Sequence, residues 1–326
     1  MMLHEYKFSS CYAEYIEGLI EQKHDSGYIY DSAKYKLIAF DRFCISQEIN
    51  EELITKELSD SWKTWNDHER KSYRASRMSV LRQLALYMVS LGYECYIPSK
   101  FTVQEYKMPY VLSDVEIQAF IKVADEYTSQ IDARRFNILA EEYKVLFRFI
   151  YCCGLRVSEA RKLKVEDIDF EKHTAAIRHS KGDKDRLIYM ADDVCDMCAN
   201  LINRLHHKYD FYSEYLFPSS DPDKPLQVAS INMKFKEFWN KTSYARSERQ
   251  PTVHSLRYGF VVSRMNRWME NSECLNSLMP YLSKFLGHSS TENTYYYYHQ
   301  IQSAFKIVRQ KDELSNSIIP EVAYEE

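Results

Sequence analysis

Glycine is scarce, with 7 in 326 residues, and so few flexible positions favour helices joined by short connections. No segment reaches the ~18 uninterrupted apolar residues that a membrane span requires, so a role within the bilayer is not expected. The opening residues Met1-Met2-Leu3-His4-Glu5 lack a charged leader followed by an apolar run, which predicts no secretory signal. A basic excess is also missing: the formal net charge is −4 and the pI near 6.2, whereas nucleic-acid-binding domains are typically basic. That absence decides little, because phosphate binding depends on local charge. The 8 cysteines follow no regular framework, which predicts a reduced, cytoplasmic chain rather than a disulfide scaffold. Cys195-Asp196-Met197-Cys198, with His206 and His207 nearby, has no second cysteine pair at finger spacing and reads as helix. No metal site is predicted there.

What the chain does have is a large apolar complement. Hydrophobic residues make up 45%, enough to bury a sizeable core and to exclude disorder, over a length that accommodates two ordinary domains. A boundary falls near Lys107-Met108-Pro109-Tyr110. Pro109 disfavours helix just before it, and Ser113 to Glu116 then reads as a capping box. Ahead of it the pattern is helical, with Tyr35, Ile38, Ala39 and Phe43 in one stretch and Val80, Leu81, Leu84, Tyr87, Met88 and Leu91 in a stronger one closed by Gly92. The second carries Arg70, Lys71, Arg74, Arg77 and Arg82. Positions 70, 74 and 77 share one face, and the expectation is a basic stripe laid on a DNA backbone rather than an ordinary solvated face.

Beyond the boundary, helical segments give way to three extended runs around Ile168–Phe170, Thr174–Arg178 and Arg186–Met190, with turns between them. Lys181 sits at the tip of the second hairpin. Helices resume from Val194. The fold expected is mainly α with a small β-sheet: a helical domain over residues 1–107 and a mixed α/β domain over residues 108–326.

Several polar residues stand in recognisable settings. Arg156 follows Gly154 and precedes a fresh helix start at Ser158-Glu159-Ala160. His254 and Arg257 lie one turn apart on a helix. His288 follows Gly287 at the end of an apolar helix face. Tyr295, Tyr296, Tyr297 and Tyr298 form an unusual run; successive side chains turn by ~100° on a helix, so only one can face a given cleft. Taken singly, each of these is more often structural than functional. Together, two guanidiniums, an ammonium, two imidazoles and a phenol can attack a phosphodiester without a metal.

In order and spacing, these stretches resemble the tyrosine recombinase (phage integrase) family. The matching segments are Tyr151 to Ala160, Ser180 to Arg186, Leu216 to Ser219, His254 to Arg257, Leu286 to Ser290 and Thr294 to His299. The resemblance covers nearly the whole chain, with residues 1–107 similar to the family's helical, SAM-like core-binding domain and the remainder similar to its catalytic domain. It singles out Tyr297, nine residues after His288 and two before His299, as the nucleophile. It implies that Arg156 and Arg257 clamp the scissile phosphate, His254 takes the phenol proton, Lys181 protonates the leaving 5′-oxygen, His288 hydrogen-bonds the phosphate and Glu159 buttresses Arg156. It further implies no metal or other cofactor, a double-stranded DNA partner with specific recombination sites, and a homo-oligomer that is a dimer on one site and a tetramer in synapsis. A partner recombinase is left open.

Alternatives within this chemistry are a type IB topoisomerase-like enzyme and a catalytically inactive DNA-binding regulator. A helical protein–protein scaffold would leave the basic stripe unexplained. Tyr258 stands where the family often has a second histidine. The expected arrangement is a simple two-domain recombinase of a mobile element, acting in integration, excision or transposition, or one resolving chromosome dimers.

Overall fold

The computed structural model describes residues 6–28, 30–66, 68–100, 109–178, 185–245, 249–288, 290–292 and 294–295. The chain divides into two compact units, Met1–Lys107 and Met108–Glu326, so the division falls at the Lys107–Met108 step.

The first unit holds α1 (Ala13–Asp25), α2 (Asp31–Ser46), α3 (Lys56–Thr64) and α4 (Lys71–Ser90). Its core joins Ile16 and Leu19 of α1, Leu37, Phe40 and Phe43 of α2, Trp62 of α3, and Leu81, Leu84 and Met88 of α4. Gly92, at φ +98°, turns the chain after α4, a backbone region that glycine enters without a Cβ penalty. In α2 the buried set includes Leu37, Ile38, Phe40 and Phe43, while Tyr35 is exposed.

The basic stripe requires correction. Arg77 is 2% exposed. Its guanidinium lies 4.1 Å from the Trp62 ring centroid, donates to the Trp62 carbonyl and forks onto Glu69, with Nε to Oε2 at 3.1 Å. Arg74 Nε reaches the same carboxylate at 3.2 Å, and Arg82 Nη1 donates to the Pro98 carbonyl at 2.6 Å. The i, i+4, i+7 spacing is real, but a carboxylate and backbone carbonyls satisfy Arg74, Arg77 and Arg82. Burying Arg77 unpaired would be costly, so it is a strut of the domain and not a DNA contact. Arg70 and Lys71 remain exposed at the start of α4.

The second unit comprises α5 (Asp114–Glu126), α6 (Arg134–Cys153), α7 (Val157–Lys162), β1 (Ile168–Asp169), β2 (Thr174–Ile177), β3 (Arg186–Tyr189), α8 (Asp192–Tyr209), α9 (Val228–Asn240), α10 (Val253–Glu270) and α11 (Leu275–Leu286). Ser113 caps α5 reciprocally with Glu116, its backbone N–H donating to Oε2 at 2.8 Å. The strands form one antiparallel sheet in the order β1-β2-β3, with Thr174 opposite Tyr189 and Ile177 opposite Arg186. Alternation buries Ala175, Ile177 and Ile188 and leaves Leu187 and Tyr189 in solvent, as a sheet covered on one face requires.

The long helix α6 is the spine of this unit. Val145, Leu146, Phe149 and Ile150 are buried on it, packed mainly against α8 and α10. Cys195 and Cys198 are buried on α8 within the same core. Among the described residues, no helix is long and apolar enough to cross a membrane.

Candidate active site

Two helix ends build the site. α6 stops at Gly154, which adopts φ +60°, and α11 stops at Gly287, at φ +66°. Both are left-handed C-caps. Gly154 also has no room for a side chain, because a Cβ there would lie 2.4 Å from the Phe260 ring. The carbonyls left over at these ends become acceptors for arginine. Arg257, in the second turn of α10, donates from Nη1 to the Gly154 carbonyl and from Nη2 to the Leu286 carbonyl, both at 2.7 Å. Arg156, at the N-cap of α7, donates from Nη2 to the Gly287 carbonyl at 3.2 Å. The negative ends of two helices thus hold two positive charges.

Glu159 ties the guanidiniums together. Its Oε1 accepts from Arg156 Nη1 at 2.7 Å, and its Oε2 accepts the Arg156 backbone N–H at 2.9 Å. Arg186, the first residue of β3, forks onto both oxygens at 2.9 Å each. Arg257 Nη1 stands 3.8 Å from Oε2. Burial would raise the Glu159 carboxyl, but hydrogen bonds and charge from Arg186, then the Arg156 backbone N–H and charge, outweigh it and hold the pKa at about 2. Exposure differs across the cluster: 21% of the Arg156 side chain is accessible, against 1% for Arg257. Arg156 presents the open edge and Arg257 the floor.

The two imidazoles flank this floor. His288 follows Gly287, and its Nε2 lies 3.0 Å from Arg257 Nη2. A guanidinium only donates, so Nε2 accepts and Nδ1 carries the proton. Nδ1 then donates to Thr294 Oγ1 at 2.7 Å. Desolvation, reinforced by Arg257, Arg156 and Arg186, pushes the His288 pKa down to about 4. His254 is solvent-accessible, with its ring edge-on to Tyr258 at 4.8 Å. Desolvation by the surrounding site, then the charges of Arg257 and Arg156, lower its pKa too, and the water reaching the ring tempers that shift. Both histidines are neutral at pH 7.

Of the residues singled out from sequence, Arg156, Glu159, His254, Arg257 and His288 come together here. Lys181 and Tyr297 lie outside the described residues. Sequence reasoning passed over two members of the cluster, Arg186 and Thr294. Arg186 closes the Ser180 to Arg186 stretch, and no spacing rule marks it. Thr294 lies three residues before Tyr297 and is fully buried. Among the described residues, no group of three or more His, Cys, Asp or Glu could hold a metal ion. The arrangement offers concentrated, preorganised positive charge with two neutral imidazoles beside it, suited to stabilising a phosphoryl group as charge grows on it.

Comparison with known proteins agrees in kind. Residues 111–303 match the Phage integrase family. Over 295 residues, the chain is 27% identical to y4rB of Sinorhizobium fredii, an integrase/recombinase by provisional assignment, covering 88% of this chain and 92% of that one. The fold matches the Tn1549 transposon integrase in complex with a circular intermediate DNA, at a TM-score of 0.62 and 15% identity over 92% of this chain and 99% of that one. It also matches a lambda integrase tetramer bound to a Holliday junction, at a TM-score of 0.58 and 14% identity over 85% and 77% respectively.

Proposed function

The chain belongs to the phage integrase family, and we propose that it breaks and rejoins DNA at specific sites through a covalent link to Tyr297. Tyr297 Oη attacks the scissile phosphorus, forming a 3′-phosphotyrosyl bond as the bond to the 5′-oxygen breaks. The phenol, of pKa ~10, gives its proton to His254, whose neutral ring is ready to accept it. Lys181 protonates the departing 5′-oxygen. Arg156 and Arg257 neutralise the growing phosphoryl charge, and His288, with Nδ1 bonded to Thr294 and Nε2 accepting from Arg257, orients Arg257 instead of bonding the phosphate directly. A partner strand's 5′-hydroxyl then reverses the attack, so the bond energy is conserved and no nucleotide cofactor is consumed.

The observation that carries this reading is the Arg156–Glu159–Arg257–His288 cluster, held by hydrogen bonds across the ends of α6 and α11. The same reading makes residues 1–107 the helical core-binding domain, a DNA-binding unit in its own right. The solved lambda integrase is a tetramer on a Holliday junction, and this chain is assigned the same assembly, with residues 311–326 reaching a neighbouring subunit. The Tn1549 integrase serves a transposon, and a mobile element is the setting proposed here, with a partner recombinase compatible with it.

Covalent capture tests the reaction. A nicked duplex bearing the ends of the encoding element should trap an adduct that maps to Tyr297 and disappears in Tyr297→Phe. Tight, specific binding without any adduct would instead indicate a DNA-binding regulator. Relaxation of supercoiled plasmid without strand exchange would indicate topoisomerase activity. Deleting residues 311–326 should weaken cooperative site binding; unchanged assembly on DNA would refute the tail contact.

A further inference from the structure

Arg186 is used by none of the steps above, yet it is the one guanidinium of the cluster that forks onto both Glu159 oxygens. Its Nε donates to the Phe285 carbonyl at 2.7 Å, and Nη1 and Nη2 bond to the two Glu159 oxygens at 2.9 Å each. Only 8% of the side chain is accessible, so it does not offer itself to DNA. Gly287 leaves the space it occupies, since a Cβ there would sit 3.0 Å from Nη1. The Phe285 carbonyl is two residues from the Gly287 carbonyl that holds Arg156. Arg186 therefore fixes Glu159 and the end of α11 together.

The charge count gives this geometry a purpose. Glu159 contacts three guanidiniums, those of Arg156, Arg186 and Arg257. A lone Arg156–Glu159 pair would cancel, and a neutralised Arg156 has little to give a phosphate. With Arg186 present, the carboxylate is shared and the cluster keeps a net charge of two. We propose that Arg186 is a positioning residue for strand cleavage, occupying the Glu159 carboxylate so that Arg156 keeps its charge and aim for the scissile phosphate. The inference rests on the recombinase reading.

The test is single-turnover cleavage by the full chain on a nicked duplex, with either a phosphate or an uncharged methylphosphonate at the scissile position. Arg186→Gln should lose on the order of 100-fold on the phosphate, as misplacement of a reacting group does, and much less on the methylphosphonate, which needs less neutralisation. The double variant Arg186→Gln/Glu159→Gln restores the net charge of the cluster and should recover part of the loss. If Arg186→Gln does not fold, Arg186→Lys, which keeps a charge but not the fork, carries the same two-substrate comparison. Equal losses on both substrates, or a double variant no faster than Arg186→Gln, would overturn the inference and leave Arg186 a structural strut. A wild-type chain that forms no Tyr297 adduct would overturn the recombinase reading itself, and this inference with it.

Discussion

His288 donates from Nδ1 to Thr294 because Arg257, which can only donate, takes the other ring nitrogen as its acceptor. With the Nδ1 proton committed to Thr294 Oγ1 at 2.7 Å, Nε2 is left as an acceptor 3.0 Å from Arg257. A tautomer swap would set N–H against N–H.

Thr294→Val keeps the shape and deletes the acceptor. It strands a half-buried N–H and should cost about 1–3 kcal/mol in thermal unfolding, with slower cleavage. Thr294→Ser should retain most of both. Equal behaviour of the two variants would mean that the bond does not hold the imidazole in place.

Acid should destabilise this domain in two stages. The folded-state pKa of His288 is near 4, below its ordinary 6.5, so between those values the unfolded chain binds more protons. Stability is full above about pH 6.5 and falls as pH drops toward 4. Glu159, at about 2 against 4.5, loses its contribution lower still, as pH falls from about 4.5 to 2. Chemical unfolding at a series of pH values reads this out, and His288→Gln should shrink the upper stage, to which His254, lowered in the same direction, also contributes. A wild-type midpoint independent of pH from 7 to 4 would contradict it.

Gly154 and Gly27 both have positive φ, but only Gly154 is crowded; nothing lies within 4 Å of a Cβ on Gly27. Gly27→Ala should therefore cost only the left-handed backbone term, roughly 1–2 kcal/mol. Gly154→Ala adds the collision with Phe260 and should cost more, with partial rescue by Phe260→Leu. Comparable unfolding midpoints for the two alanine variants would refute the crowding argument.

Arg77 and Arg70 should separate stability from DNA binding. Arg77→Ala leaves Glu69 with fewer partners in the first unit and should cost about 3–5 kcal/mol of stability. Arg70→Ala should leave stability unchanged and lower the salt dependence of DNA binding by about one counterion. Loss of binding in Arg77→Ala without loss of stability would restore Arg77 to the DNA face.

Features governed by a few adjacent residues were legible in the sequence. The Ser113 capping box, the three strands from Ile168 to Tyr189 and the glycine stops at Gly92 and Gly287 each follow from local backbone preference. So did five members of the cluster, through motif order. Arg186 and Thr294 were not legible, because what matters about them is a partner, Glu159 or His288, that folding brings near. Arg77 misled for the same reason. Helical periodicity assigns a face, but it does not say that Trp62 and Glu69 will cover it.

The anchoring of Arg156 and Arg257 on the carbonyls of Gly154, Leu286 and Gly287 has a consequence for mutational tolerance. A main-chain oxygen survives any side-chain replacement, so the Leu286 anchor should accept other apolar residues with its acceptor intact. A one-residue insertion or deletion within α6 or α11 is different, because it swings the terminal carbonyls by ~100° about the helix axis. The clamp is thus tolerant of spelling and intolerant of counting: frame-preserving indels in these two helices should silence it where most point changes do not.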